Sequence, residues 1–187
     1  MIYYIETGIR RRIWKIRGLL LKAYLRLHGC SVGKSTTCIG WPFFKQIPCS
    51  NITVGDGVTI GRGVTIEVGI NAKLKIGSYV NISDGVYFGV QDSVTIGDYT
   101  GFGERVSIRD STHMFRKKKP HLLQSSFARP IIIGYDVSIG LGSAVLAGVN
   151  IKDGVVLGAG TIITSEENTM PYTFYRGYPI EEIGIRP

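Results

Sequence analysis

The residues best suited to chemistry lie between 107 and 120, in SIRDSTHMFRKKKP, where a histidine is soon followed by four consecutive basic residues. His113 is one of only three histidines in the chain. Imidazole takes up and gives back a proton near neutral pH, which suits the task of a general base. Asp110 stands three residues earlier. It either orients the imidazole as the third group of a relay or forms the turn that opens a loop. Asp84 and Glu104 are the other nearby carboxylates that could meet an acceptor. The run Arg116 to Lys119 either steers a phosphorylated partner or keeps an exposed loop solvated.

These residues interrupt a strict period. From residue 54 onward an apolar side chain recurs every six positions: Val54, Ile60, Ile66; Ile76, Ile82, Phe88; Ile96, Phe102, Ile108; Ile133, Ile139, Val145; Ile151, Leu157, Ile163. A smaller residue, usually valine, precedes most of them by two positions, and glycine often follows. Six residues suit a short strand plus a turn rather than a helix. Three such units close one coil of a triangular β-helix, whose stacked coils pair in parallel about 4.8 Å apart. Between triplets the step is ten (66 to 76), eight (88 to 96), twenty-five (108 to 133) and six (145 to 151), so every extra residue falls between the third face and the first. Val32, Cys38 and Phe44 mark one more irregular coil. The longest insertion contains His113, and a loop of that length is more often functional than decorative.

Composition agrees with a single all-β domain: 187 residues, 44% hydrophobic, 19% charged, with 25 glycines to make turns. The organisation read from the sequence is a basic amphipathic helical segment over 1–29, a β-helix over 30–164 with an inserted loop at 110–130, and a tail over 165–187 that packs on the helix or the groove. The net charge of +8 is uneven. Residues 1–26 carry seven basic side chains against Glu6, a balance of +6. Concentration of charge in one helix and one loop, without interleaved aromatics along a face, argues against a nucleic-acid partner. Cys30, Cys38 and Cys49 include no CxxC pair and read as small buried residues in a reducing cytoplasm. Basic residues interrupt the only apolar stretch that approaches a membrane span, and no secretory leader is evident.

In the helical segment Ile9, Ile13, Ile16, Leu20, Tyr24 and Leu27 recur at helical spacing, with Arg11, Lys15, Lys22 and Arg26 on another face and Gly29 as the stop. Two readings stand together. The helix caps the exposed edge of the first coil, and residues 9–27 touch an anionic membrane surface.

The six-residue repeat, the loop with Asp110, Thr112 and His113, and the run PIIIGYDVSIGLGSAVLAGVNIKDGVVLGAGTIIT together resemble the hexapeptide-repeat acyltransferases, nearest their maltose, galactoside and polysaccharide O-acetyltransferase branch. The resemblance spans roughly residues 50–180. It implies a left-handed parallel β-helix, a homotrimer with active sites between subunits, and acetyl-CoA as co-substrate with no metal required. It further implies His113 as general base and the backbone N–H of Leu141 or Gly142 as the oxyanion donor. The pantetheine arm would run past Gly142, Ala159 and Gly160, one coil apart on the same face, with Thr164 in hydrogen-bond reach. Ser165 stands where relatives carry a lysine, and Gly177-Tyr178-Pro179-Ile180-Glu181 where they carry a basic residue after proline. Arg176 or Arg186 would then take the 3′-phosphate of CoA. Ser138 replaces a common tryptophan.

The implied reaction is O-acetylation of a sugar or glycan acceptor in surface polysaccharide biosynthesis, in the cytoplasm or on the inner face of the membrane. Two alternatives remain: N-acetylation of an amino sugar on a nucleotide carrier, and a non-catalytic β-helix scaffold. A γ-class carbonic anhydrase shares the prism but needs three histidine ligands, and only His113 and His121 lie in the repeat region.

Overall fold

Each six-residue unit forms a strand and a turn because one aliphatic side chain points inward while the residues after it let the chain bend. The structure, a computed structural model, describes residues 2–114 and 118–186. Three strands complete each coil. The first coil holds β1 (Ser31–Val32), β2 (Thr36–Cys38) and β3 (Phe43–Phe44); the second β4 (Ile52–Val54), β5 (Val58–Ile60) and β6 (Thr65–Val68). The third holds β7 (Lys73–Ile76), β8 (Asn81–Ile82) and β9 (Tyr87–Val90); the fourth β10 (Ser93–Ile96), β11 (Gly101–Phe102) and β12 (Ser107–Arg109). A two-stranded ribbon then leaves the prism, β13 (Ser111–His113) and β14 (Ser126–Ala128). The fifth coil follows with β15 (Ile131–Ile133), β16 (Ser138–Ile139) and β17 (Ala144–Val145), and the sixth with β18 (Asn150–Ile151), β19 (Val156–Leu157) and β20 (Ile162–Ile163). Finally β21 (Thr173–Arg176) adds in parallel to β19, and β22 (Glu181–Ile185) folds back antiparallel on β21.

The three faces of this left-handed β-helix are parallel stacks in which the residue of each period lies over its counterpart, as Ile82 over Ile60 and Ile139 over Phe102. All fifteen periodic residues are 5% exposed or less, and Val58, Val64, Val80, Val86, Val106, Val137 and Val155 are buried beside them. Each fully buried aliphatic side chain contributes about 1.5–3 kcal/mol. The insertions do leave from one corner, between the third face and the first. The long one is not structureless: besides its ribbon it forms a short 3-10 turn, His121–Leu123. Three-residue strands are too short to show an alternating pattern in sequence. Arg116 and Lys117, half of the basic run, lie outside the described residues, as does the side chain of His121.

Aspartates staple the turns. Asp84 Oδ1 accepts the N–H of Arg62 (2.6 Å), Asp98 that of Ser78 (2.7 Å) and Asp153 that of Tyr135 (2.8 Å), each one coil away. The residue before each of these donors is Gly61, Gly77 or Gly134, and a Cβ at any of the three would collide with the aspartate.

Helix α1 (Ile2–Leu27) lies across the open end of the first coil and stops at Gly29, whose φ is +81°. At Gly18 the two backbones come so close that a Cβ would overlap the carbonyl oxygen of Thr36. Leu21 and Leu25 are buried there and Tyr24 packs beside Trp41 and Phe44. Arg17, Lys22 and Arg26 donate to the carbonyls of Ile39 (2.8 Å), Lys34 (3.0 Å) and Val32 (2.6 Å). Edge carbonyls that no further strand pairs are thereby satisfied. The apolar series read from sequence lies elsewhere: Ile9, Ile13, Ile16, Leu20 and Leu27 are exposed, and of that set only Tyr24 reaches the prism. Cys30 and Cys38 are buried in the first coil with free thiols, whose pKa burial pushes up. Among the described residues no helix is long and apolar enough to cross a membrane.

Candidate active site

At the corner between the third and first faces, β13 pairs antiparallel with β14, Ser111 opposite Ala128 at the root and His113 opposite Ser126. The imidazole is therefore carried outward and is exposed. Asp110 is fully buried beneath the root. Its two carboxylate oxygens accept the N–H groups of Gln91 and Asp92, both at 2.8 Å, while its carbonyl accepts from Arg129 (2.8 Å). Burial pushes its carboxyl above the ordinary aspartate value, and those N–H groups pull it back. Both oxygens are thus committed to the coil beneath. Asp110 fixes the base of the ribbon to the coil beneath it.

A pocket of about 480 Å³ opens at the ribbon's root, lined among others by Arg109, Thr112, Arg129, Thr164, Ser165 and Glu166. Thr164 is less available than its sequence position implies. Its hydroxyl donates to Glu167 (2.9 Å), and the same carboxylate oxygen accepts its N–H at 2.5 Å. Arg109 and Arg129 are functional candidates that sequence reasoning missed. They sit immediately before and near the end of the insertion, and that placement was the available signal. The Arg109 guanidinium lies 4.3 Å from the ring centre of Tyr87. The Tyr87 hydroxyl donates to Glu67, and this bond, with Lys45 at 2.9 Å, holds the Glu67 carboxyl below its usual value.

The corner between the second and third faces gathers most of the other expected residues. Glu104, Leu141, Ala159 and Gly177 follow one another there in successive layers, because Phe102 stacks on Ile139, Ile139 on Leu157 and Leu157 on Tyr175, and Arg176 lies one residue short of that column, against Gly158. Gly142 donates its N–H to the carbonyl of Glu104 (2.8 Å), and Gly160 donates to that of Leu141 (2.8 Å). Gly142 is therefore excluded as an oxyanion donor. The N–H of Leu141 has no acceptor among the described residues, since Ala159 stands where Asp84 serves the equivalent Arg62. A Cβ added at Gly142 or Gly160 would meet nothing within 4 Å, so this corner is open on its outer side, with Arg176 exposed beside it. Asp84 shares the column, but one of its oxygens staples Arg62 and the other pairs with the Arg62 guanidinium at 3.7 Å. Glu104 has an exposed side chain one layer from Leu141.

Arg186 belongs to the third corner. It pairs with Asp136 (2.9 Å) and donates to the carbonyls of Asp136 and Gly154, far round the prism from Gly142. It is thereby tied into the fold, whereas Arg176 is exposed beside the corner that carries Gly160.

The chain is 30% identical over 146 residues to the dTDP-4-amino-4,6-dideoxy-D-glucose acyltransferase of Escherichia coli, a match covering 74% of this chain and 73% of that protein. Its fold is similar to that of AntD, an N-acyltransferase from Bacillus cereus solved as a mutant in complex with dTDP-4-amino-4,6-dideoxyglucose and coenzyme A (TM-score 0.75, 22% identity, 89% of each chain). A maltose O-acetyltransferase from Clostridium difficile shares the fold at a TM-score of 0.58 and 24% identity, over 87% of this chain and 73% of that one. No family model matches the sequence. With six hexapeptide coils, a histidine-bearing ribbon and that extent of identity to an acyltransferase, the chain belongs to the hexapeptide-repeat acyltransferase family.

Proposed function

We propose that this acyltransferase moves an acetyl group from acetyl-CoA to a sugar, with His113 as general base and the Leu141 N–H as oxyanion donor. The observation that carries the reading is the uncommitted Leu141 N–H at a corner left open on its outer side by Gly142 and Gly160. As the acceptor attacks the thioester carbonyl, His113 takes its proton and the Leu141 N–H stabilises the oxyanion; the carbon–sulfur bond then breaks, and His113 hands that proton to the leaving sulfur, releasing CoA as its thiol. Gly142, Ala159 and Gly160 leave room for the pantetheine arm, Arg176 receives a phosphate, and Glu104 faces the acceptor.

His113 and Leu141 occupy different corners of one prism, separated by the width of the third face, about 13 Å for four extended residues. A homotrimer, in which the ribbon of one copy reaches the open corner of the next, brings them together.

The acceptor has two readings. One is a hydroxyl in surface polysaccharide assembly. The other is the amino group of a nucleotide-linked sugar, and it is favoured by the Escherichia coli relative's substrate and by two arginines in the root pocket suited to a diphosphate. Thiol release from acetyl-CoA should be faster with dTDP-4-amino-4,6-dideoxyglucose than with maltose. His113→Ala should lower kcat by at least about 10²-fold with whichever acceptor is used. Equal turnover by the variant would remove His113 from the reaction, and turnover with maltose alone would restore the O-acetyl reading.

A further inference from the structure

Helix α1 has two apolar faces, and only one of them is used by the prism. At 100° per residue, Gly18, Leu21 and Leu25 share the side turned to the first coil. Ile5, Ile9, Ile13, Ile16, Leu20 and Leu27 fall within about 80° of one another on the opposite side. All six are between 42% and 86% exposed. A stripe of that regularity along a 26-residue helix is not the scatter of single apolar residues normal on a surface.

Its borders are basic. Arg17 and Arg10 lie past one edge of the stripe and Arg12 borders the other, with Lys15 further round; Glu6, the one acidic residue of the helix, lies between the stripe and Arg17. Arg17, Lys22 and Arg26 are held by coil carbonyls. Arg11, Arg12 and Lys15 carry no hydrogen bond or ion pair among the described residues, and Arg10 pairs only with exposed Glu6.

We infer that this outward stripe rests on an anionic lipid surface, with α1 lying flat between the bilayer and the first coil. Apolar side chains would enter the headgroup boundary while Arg10, Arg12 and Lys15 meet lipid phosphates. Charge decides against a second copy as the occupant. Two such helices placed stripe to stripe would set arginine against arginine along both borders, whereas an acidic bilayer complements them. The contact expected over 9–27 extends back to Ile5 and loses Leu21, Tyr24 and Leu25, which face the prism. The inference holds whichever sugar is acylated.

Sedimentation of the full chain with vesicles tests it, using phosphatidylcholine alone and phosphatidylcholine mixed with phosphatidylglycerol. The parent should partition at least about tenfold more strongly onto the phosphatidylglycerol vesicles. The double variant Ile9→Glu/Ile16→Glu should lose that binding with an unchanged circular-dichroism melt and unchanged turnover of a soluble acceptor. Arg12→Glu/Lys15→Glu should lose it as well. Three results would overturn the inference: a parent that stays in the supernatant with both vesicles, an Ile9→Glu/Ile16→Glu chain that pellets like the parent, or a fall in that variant's solution mass, which would give the stripe to a second copy.

Discussion

Leu141 and Arg62 occupy the same place in their respective coils, yet their backbone N–H groups do different things. Arg62 is bound by the carboxylate of Asp84 one layer on; Leu141 faces Ala159, which has nothing to accept with. Restoring the staple is therefore a direct probe of the proposed oxyanion donor. Ala159→Asp should place a carboxylate on the Leu141 N–H, hold or raise Tm, and lower kcat by about 10²–10³-fold, the usual cost of one such donor. A raised Tm with unaltered kcat would show that the N–H is not used. The sequence pattern led to Leu141 and Gly142 as a pair but did not separate them. The acceptors that distinguish them come from adjacent layers, and the pairing became decidable only when the column Arg62, Asp84, Glu104, Leu141, Ala159 was in register. The Thr164 hydroxyl's bond was hidden for a related reason: its partner, Glu167, is three residues away in a turn that no periodicity announces.

Among the elements, the coils were the most legible, because a prism with room for one side chain per face imposes the same choice every six residues. The ribbon was less so. Its length and corner followed from counting gaps, but β13 and β14 are three residues each and carry no alternation to read. Its anchor, Asp110, was left open in the sequence between orienting His113 and forming a turn, because the N–H groups that both its carboxylate oxygens accept belong to Gln91 and Asp92, a coil away. Asp110→Ala should leave two N–H groups without acceptors at a buried site and destabilise the fold by about 1–3 kcal/mol in denaturant titration. His113→Ala, on the exposed part of the ribbon, should leave the same titration unchanged. Similar losses of stability from both variants would mean that the ribbon is not anchored as described. For α1 the helical period was correct, and the face that packs on the coil was not assigned. Proximity at Gly18 and three basic side chains reaching carbonyls select that face, and neither is an apolar signal.

At the scale of the whole molecule, spacing alone gave a triangular coil without its hand or its assembly; both came from the resemblance. The assembly has a test of its own. If each site joins the ribbon of one copy to the open corner of the next, co-expressed His113→Ala and Ala159→Asp chains should regain activity in about a quarter of their sites, although each alone is impaired. A site built within one chain would regain none. The stacking of coils also sets a height. Helix α1 covers the first coil and the ribbon departs after the fourth, three steps of about 4.8 Å above it. The prism thus acts as a ruler marked in whole coils, and the reach of His113 above any surface on which α1 rests can change only by adding or removing a rung.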